Sequence, residues 1–105
     1  MSDNAVIVFA SFHPIAGKQQ ALHELLSFMV EHTRAEAGCE RYDLYRRHGD
    51  VADEVTFHLF ERYRNDDALQ AHRDSDHYVE YRRRVTELLA NPIEVLVLDG
   101  IDVVR

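Results

Sequence analysis

The chain is predicted to form an α+β domain of the ferredoxin-like type, β-α-β-β-α-α-β around an antiparallel sheet, from three observations. Apolar residues change between a strand period and a helix period in that order along 105 residues. Turn-forming residues stand at the changes: Pro14 and Gly17, Gly49 and Asp50, Asn65, Ser75, then Asn91 and Pro92. Three of the four strand-like runs are apolar on both parities, so both faces of the sheet need cover.

Residues 5–13 read as the first strand, with Val6, Val8 and Phe12 on one side and Ile7 and Phe9 on the other. The Pro14–Gly17 turn leads to a helix whose Leu22, Leu25, Leu26, Met29, Val30 and Thr33 keep helical spacing. Gly38 sits where a C-terminal cap belongs. Residues 40–48 form the second strand and residues 54–63 the third, joined by a hairpin loop over 49–53. Asn65 is an N-cap for a short helix ending near His72. A further helix starts at Ser75 or Asp76 and carries Tyr78, Tyr81, Val85, Leu88 and Leu89 until Asn91-Pro92 stops it. Residues 93–98 form the fourth strand, two-sided again, and residues 101–104 an extended tail.

Helices can shield only one face of this sheet. A second copy of the chain is the simplest cover for the other, so a two-fold, sheet-to-sheet homodimer is expected. The length allows one domain over residues 1–105, with its core about 5–98. The net charge of −7 argues against nucleic acid or an anionic membrane as partner. The run Arg82-Arg83-Arg84 reads as a solvated helix face. No apolar stretch approaches the roughly 20 residues of a membrane helix. With no leader-like start and one cysteine, Cys39, a cytoplasmic protein is expected.

The chemistry concentrates between Phe57 and His77, where a strand turns into a short helix. His72 is the leading candidate base, because imidazole titrates near neutrality; its structural alternative is packing the end of a short helix. His77 either orients a substrate or lies in the first turn of the next helix. Glu61 and Tyr63 share strand parity with Leu59 and point to one face. Tyr63 can donate a hydrogen bond to a substrate oxygen or pack as a rim aromatic. Glu61 can steer His72 or pair with an arginine across the sheet, and the pairing is favoured. Leu69 and Tyr78 are candidate pocket walls, and Arg82 can hold an anionic group. A metal site is not expected: His72 and His77, five apart, would stand about 140° apart on one helix, and no His-x-x-Glu or Cys-x-x-Cys pattern occurs. Cys39 follows a helix C-terminus with no base beside it, so it is read as a small buried residue rather than a nucleophile.

Glu36-Ala-Gly38-Cys39-Glu-Arg-Tyr42-Asp-Leu44-Tyr45, Phe60-Glu61-Arg-Tyr63, Leu69-Gln-Ala-His72 and Ser75-Asp-His77 resemble the signature blocks of the antibiotic biosynthesis monooxygenase-like family. The resemblance spans residues 5–98 and implies a dimeric α+β barrel. It implies a cofactor-free monooxygenase of quinols or polyketide-like phenols, with His72 as base, Tyr63 as donor, and Leu59, Glu61, Leu69, His77, Tyr78 and Arg82 contacting substrate. The family also contains an isomerase of a phosphorylated signalling compound, haem-degrading enzymes and proteins of unknown role. An isomerase acting on a small carbonyl compound and a non-catalytic dimeric binding module are therefore the alternatives. Tyr63 departs from the tryptophan usual at its position. The asparagine and histidine of the haem-degrading branch align with Ala10 and Arg82, which argues against haem degradation.

Overall fold

A computed structural model describes residues 4–51 and 54–104. Strands β1 (Val6–Phe12), β2 (Cys39–Arg46), β3 (Phe57–Tyr63) and β4 (Glu94–Asp99) form one antiparallel sheet in the order β2-β3-β1-β4. Helices α1 (Gln19–Arg34), α2 (Asp66–Arg73) and α3 (Asp76–Val85) follow the predicted sequence, with a 3-10 turn at Thr86–Leu88. The fold is the ferredoxin-like one.

Strand register sorts the side chains by face. Toward the helices, the rows Leu44–Leu59–Ala10–Val95 and Tyr42–Glu61–Val8–Val97 cross the sheet. On the far face lie Asp43–Phe60–Phe9–Leu96 and Arg41–Arg62–Ile7–Leu98. The core forms where Leu22, Leu25, Leu26 and Met29 of α1 meet Phe12 and Leu59, all with 0–1% of their surface exposed. Each such side chain stabilises the fold by about 1.5–3 kcal/mol through burial.

Coverage stops at β4. Within one chain Val95, Leu96, Val97 and Leu98 are all exposed, as are Ile101 and Val104 of the tail. Neither face of this apolar edge strand is covered. His58 lies on the far face, stacked on Phe9 at 5.8 Å and bonded to Ser11 Oγ at 3.0 Å.

Two boundaries differ from the sequence expectation. β2 ends at Arg46 and β3 starts at Phe57, both short of the predicted limits. The cause is Asp50, whose carboxylate accepts the Thr56 backbone N–H at 2.9 Å and its hydroxyl at 3.1 Å. That removes a ladder donor next to Gly49, which turns the chain at φ 84°. Ala52 and Asp53 of the expected loop lie outside the described residues.

Gly38 is not a left-handed helix cap. α1 ends at Arg34, with Ala35 in right-handed conformation, and Gly38 has no positive φ. Its role is close approach: a Cβ there would lie 2.4 Å from the Ala68 Cβ of α2. The Arg64 N–H also donates to Gly38 O at 3.0 Å. α2 thereby packs directly over the turn that carries Glu36, and this contact creates the site.

Candidate active site

Each participating element is short and locally capped. Asn65 accepts the Ala68 N–H at 2.9 Å and starts α2. One helical turn apart, Leu69 and His72 then face inward, and both are buried. Ser75 ends this segment and starts the next: its hydroxyl donates to His72 O at 2.6 Å and accepts the Tyr78 N–H at 3.2 Å. The chain therefore bends between His72 and His77. They do not share a helix, and the angular argument separating them does not apply.

Both histidines converge on Glu36. Its Oε2 lies 2.8 Å from His72 Nδ1 and 2.5 Å from His77 Nε2. The carboxylate accepts, so His72 carries its proton on Nδ1, and Nε2 keeps a lone pair. That nitrogen has no hydrogen-bond partner among the described residues, and His72 lines a cavity beside the sheet. His72 as a whole is 2% exposed, and its ring lies 5.1 Å from those of Tyr63 and Tyr78 and 5.8 Å from that of Tyr42. Burial lowers the His72 pKa and outweighs the Glu36 hydrogen bond and charge that raise it. A neutral imidazole, aimed by a carboxylate and with its second nitrogen free, is the geometry of a general base.

Glu61 is a buried acid. It faces the same cavity and accepts the Tyr63 hydroxyl at 2.6 Å. Burial pushes its pKa up to about 7, against the Tyr63 hydrogen bond and the Arg73 charge, which lower it. The Tyr63 phenol is pushed up strongly, by burial first and then by the Glu61 charge. The expected Glu61–arginine pair is thus replaced by a Glu61–Tyr63 pair. An arginine pair does form on the far side of β3, between Arg62 and Glu40 at 2.7 Å.

The cavity is about 40 Å³, the space of roughly one water molecule. Glu61, Leu69, His72, Tyr78 and Arg82 of the predicted set line it. Tyr63, Leu59 and His77 do not: Tyr63 spends its hydroxyl on Glu61, Leu59 is in the core, and His77 faces Glu36. Val8, Ala10, Tyr42, Arg73, Tyr81 and Val95 complete the wall. Tyr42 and Tyr81 are buried, and burial pushes both phenols up. Outside the cavity a groove of about 550 Å³ runs past Thr86, Leu89, Pro92 and Ile93. Arg82 and Val95 border both spaces. The arrangement sets a space the size of one water beside the buried histidine and a larger groove next to it.

Glu36 was missed as a site residue. Its signal was its place two residues before a glycine that a packed helix requires. The Cys39 thiol is pushed up to about 11 by burial and the Glu36 charge, so it is no nucleophile near neutral pH. Among the described residues no helix is long and apolar enough to cross a membrane.

The chain is thus an α+β domain of the ferredoxin-like type, with a carboxylate-oriented histidine held beneath two capped helices. A family model described as antibiotic biosynthesis monooxygenase matches residues 5–84, and the chain belongs to that family. It is 47% identical over 97 residues to "Putative monooxygenase Rv0793" of Mycobacterium tuberculosis, covering 92% of each chain. The solved structure of that protein superposes with a TM-score of 0.87 at 46% identity, covering 96% of this chain and 99% of the other. "Putative monooxygenase YcnE" of Bacillus subtilis is 32% identical over 79 residues, covering 75% of this chain and 79% of the relative.

Proposed function

We propose that this protein is a cofactor-independent monooxygenase that oxidises a small electron-rich phenol or quinol, polyketide-like in size, with dioxygen. The observation that carries this reading is the buried His72, which lines the cavity and is held at Nδ1 by Glu36, so that Nε2 is the nitrogen left to accept a proton. The monooxygenase names of its relatives support it. The aromatic ring lies in the outer groove, and its hydroxyl enters the inner cavity. His72 Nε2 removes the hydroxyl proton. The phenolate gives one electron to dioxygen, and the resulting radical pair combines to form a carbon–oxygen bond. The hydroperoxide then breaks its O–O bond, leaving a quinone carbonyl and one water. Glu61, near pH 7 in proton affinity, can supply or take the proton that this collapse moves. Substrate and dioxygen together provide every electron.

Oxygen uptake with a panel of quinols and hydroxylated polycyclic aromatics tests the reading. We expect one dioxygen consumed per quinone formed, and no product under argon. Turnover that continues under argon would favour an isomerase on a small carbonyl compound using the same base. Arg73 and Arg82 at the cavity suit a phosphorylated form of such a substrate. Ligand binding without turnover in either atmosphere would favour a binding module, toward which the small inner cavity points.

The reading includes a homodimer through the far face of the sheet, supported by the Phe60–Phe9–Leu96 row and the exposed β4 and tail. Light scattering at micromolar concentration should give twice the chain mass. Replacing Leu96 with Glu, which puts a charge into that row, should shift the mass to one chain. A wild-type mass of one chain would remove the dimer and the barrel with it. With Cys39 free, a reducing cytoplasm is the compartment this reading assumes.

A further inference from the structure

Glu36, His72 and His77 come from three separate segments: the turn after α1, the end of α2 and the first turn of α3. Their ligand-capable atoms all lie within 4.8 Å of one another. Two imidazole nitrogens share one carboxylate oxygen, at 2.8 and 2.5 Å. The side chains are mostly dry, at 3%, 15% and 17% exposure for His72, His77 and Glu36.

We propose that these three residues also form a binding site for one divalent first-row transition ion of the zinc and cobalt kind, and that occupancy removes His72 as a base. The ion site stands on geometry alone, and only its effect on His72 as a base rests on the oxidation chemistry. Metal–nitrogen and metal–oxygen bonds of about 2.0–2.2 Å in a tetrahedron place ligand atoms roughly 3.3–3.5 Å apart. The two observed N···O separations need to open by less than about 1 Å to reach that. Two imidazoles and one carboxylate suit zinc, cobalt or nickel, and the all-oxygen preference of magnesium and calcium disfavours both. Solvent supplies the fourth position, as in open three-ligand sites. Arg73 is the nearby cation that opposes binding, and its exposed side chain can extend to solvent.

The consequence lies in the protons. A neutral imidazole has one N–H, and a metal needs the lone pair of the nitrogen it binds. The ion therefore moves the His72 proton from Nδ1 to Nε2, and the His77 proton from Nε2 to Nδ1. Nε2 of His72 becomes a donor and can no longer accept the substrate proton.

The test uses the full, tag-free chain after chelator treatment. Titration with Co2+ should produce the visible bands of a tetrahedral complex, saturating at one ion per chain. Glu36→Gln and His77→Ala should each weaken binding by more than the roughly 10–100-fold that follows loss of an outer-shell partner. His48→Gln, on an exposed turn, should leave binding unchanged. Circular dichroism establishes that each variant is folded. Nitrogen-15 NMR of histidine-labelled wild type should show the two tautomers exchanging on addition of Zn2+, a readout independent of any turnover. Folded Glu36→Gln and His77→Ala chains that bind Co2+ as wild type does would overturn the proposal. So would a wild type that takes up no stoichiometric ion or keeps its His72 proton on Nδ1 with Zn2+ present.

Discussion

Replacing His72 with Gln should lower turnover by about 10²–10⁴-fold, the usual contribution of a positioned general base. That range corresponds to roughly 2.7–5.5 kcal/mol in the barrier. The stability change should be smaller. Glutamine can still donate an N–H toward Glu36, so the half-buried carboxylate keeps a partner, and the loss is of order 1 kcal/mol. In a domain of this size, about 1 kcal/mol moves the melting temperature by roughly 4–8 °C. Oxygen uptake and thermal melts on the same preparations separate the two effects. A melting shift large enough to account for the lost turnover at the assay temperature would make His72 a packing residue of α2.

A second large effect is expected at Glu61. Its pKa lies at about 7 in the fold, against an ordinary value of 4.5, because burial penalises the charged form. The native state then holds the proton more tightly than the unfolded chain. Stability falls as pH rises through the window from about 4.5 to about 7, and levels off above it. An elevation of that size is worth roughly 3 kcal/mol. His72 acts in the opposite sense: its lowered pKa makes stability rise with pH below its ordinary range. The wild-type curve is therefore a composite. Glu61→Gln isolates one component, since it keeps an oxygen that can accept from Tyr63 and loses the titration. Urea unfolding between pH 4.5 and 8 should show the variant gaining on wild type as pH rises. Parallel curves for the two proteins would mean that Glu61 titrates alike in the folded and unfolded chains.

These predictions concern groups that the sequence singled out, with partners that only packing supplied. Strand parity placed Leu59, Glu61 and Tyr63 on one face, and the register bears this out. The caps at Asn65 and Ser75 were legible because capping is a local hydrogen bond within three residues. The partnership of Tyr63 with Glu61 was not legible. Shared parity brings two side chains to one surface, and neighbouring packing decides whether they turn to each other or to a ligand. Leu59 shows the same limit: its face was right, and α1 covered it.

By itself, the sequence determined the order of elements, the apolar faces of every strand and the turn points, because these follow from backbone periodicity and short-range capping. Tertiary structure alone decided that Glu36 would meet His72 and His77 across 36 and 41 residues. That meeting depends on α2 settling onto Gly38 and on the bend at Ser75. Periodicity specifies which way a side chain faces, and only the packing of one segment on another specifies what it faces.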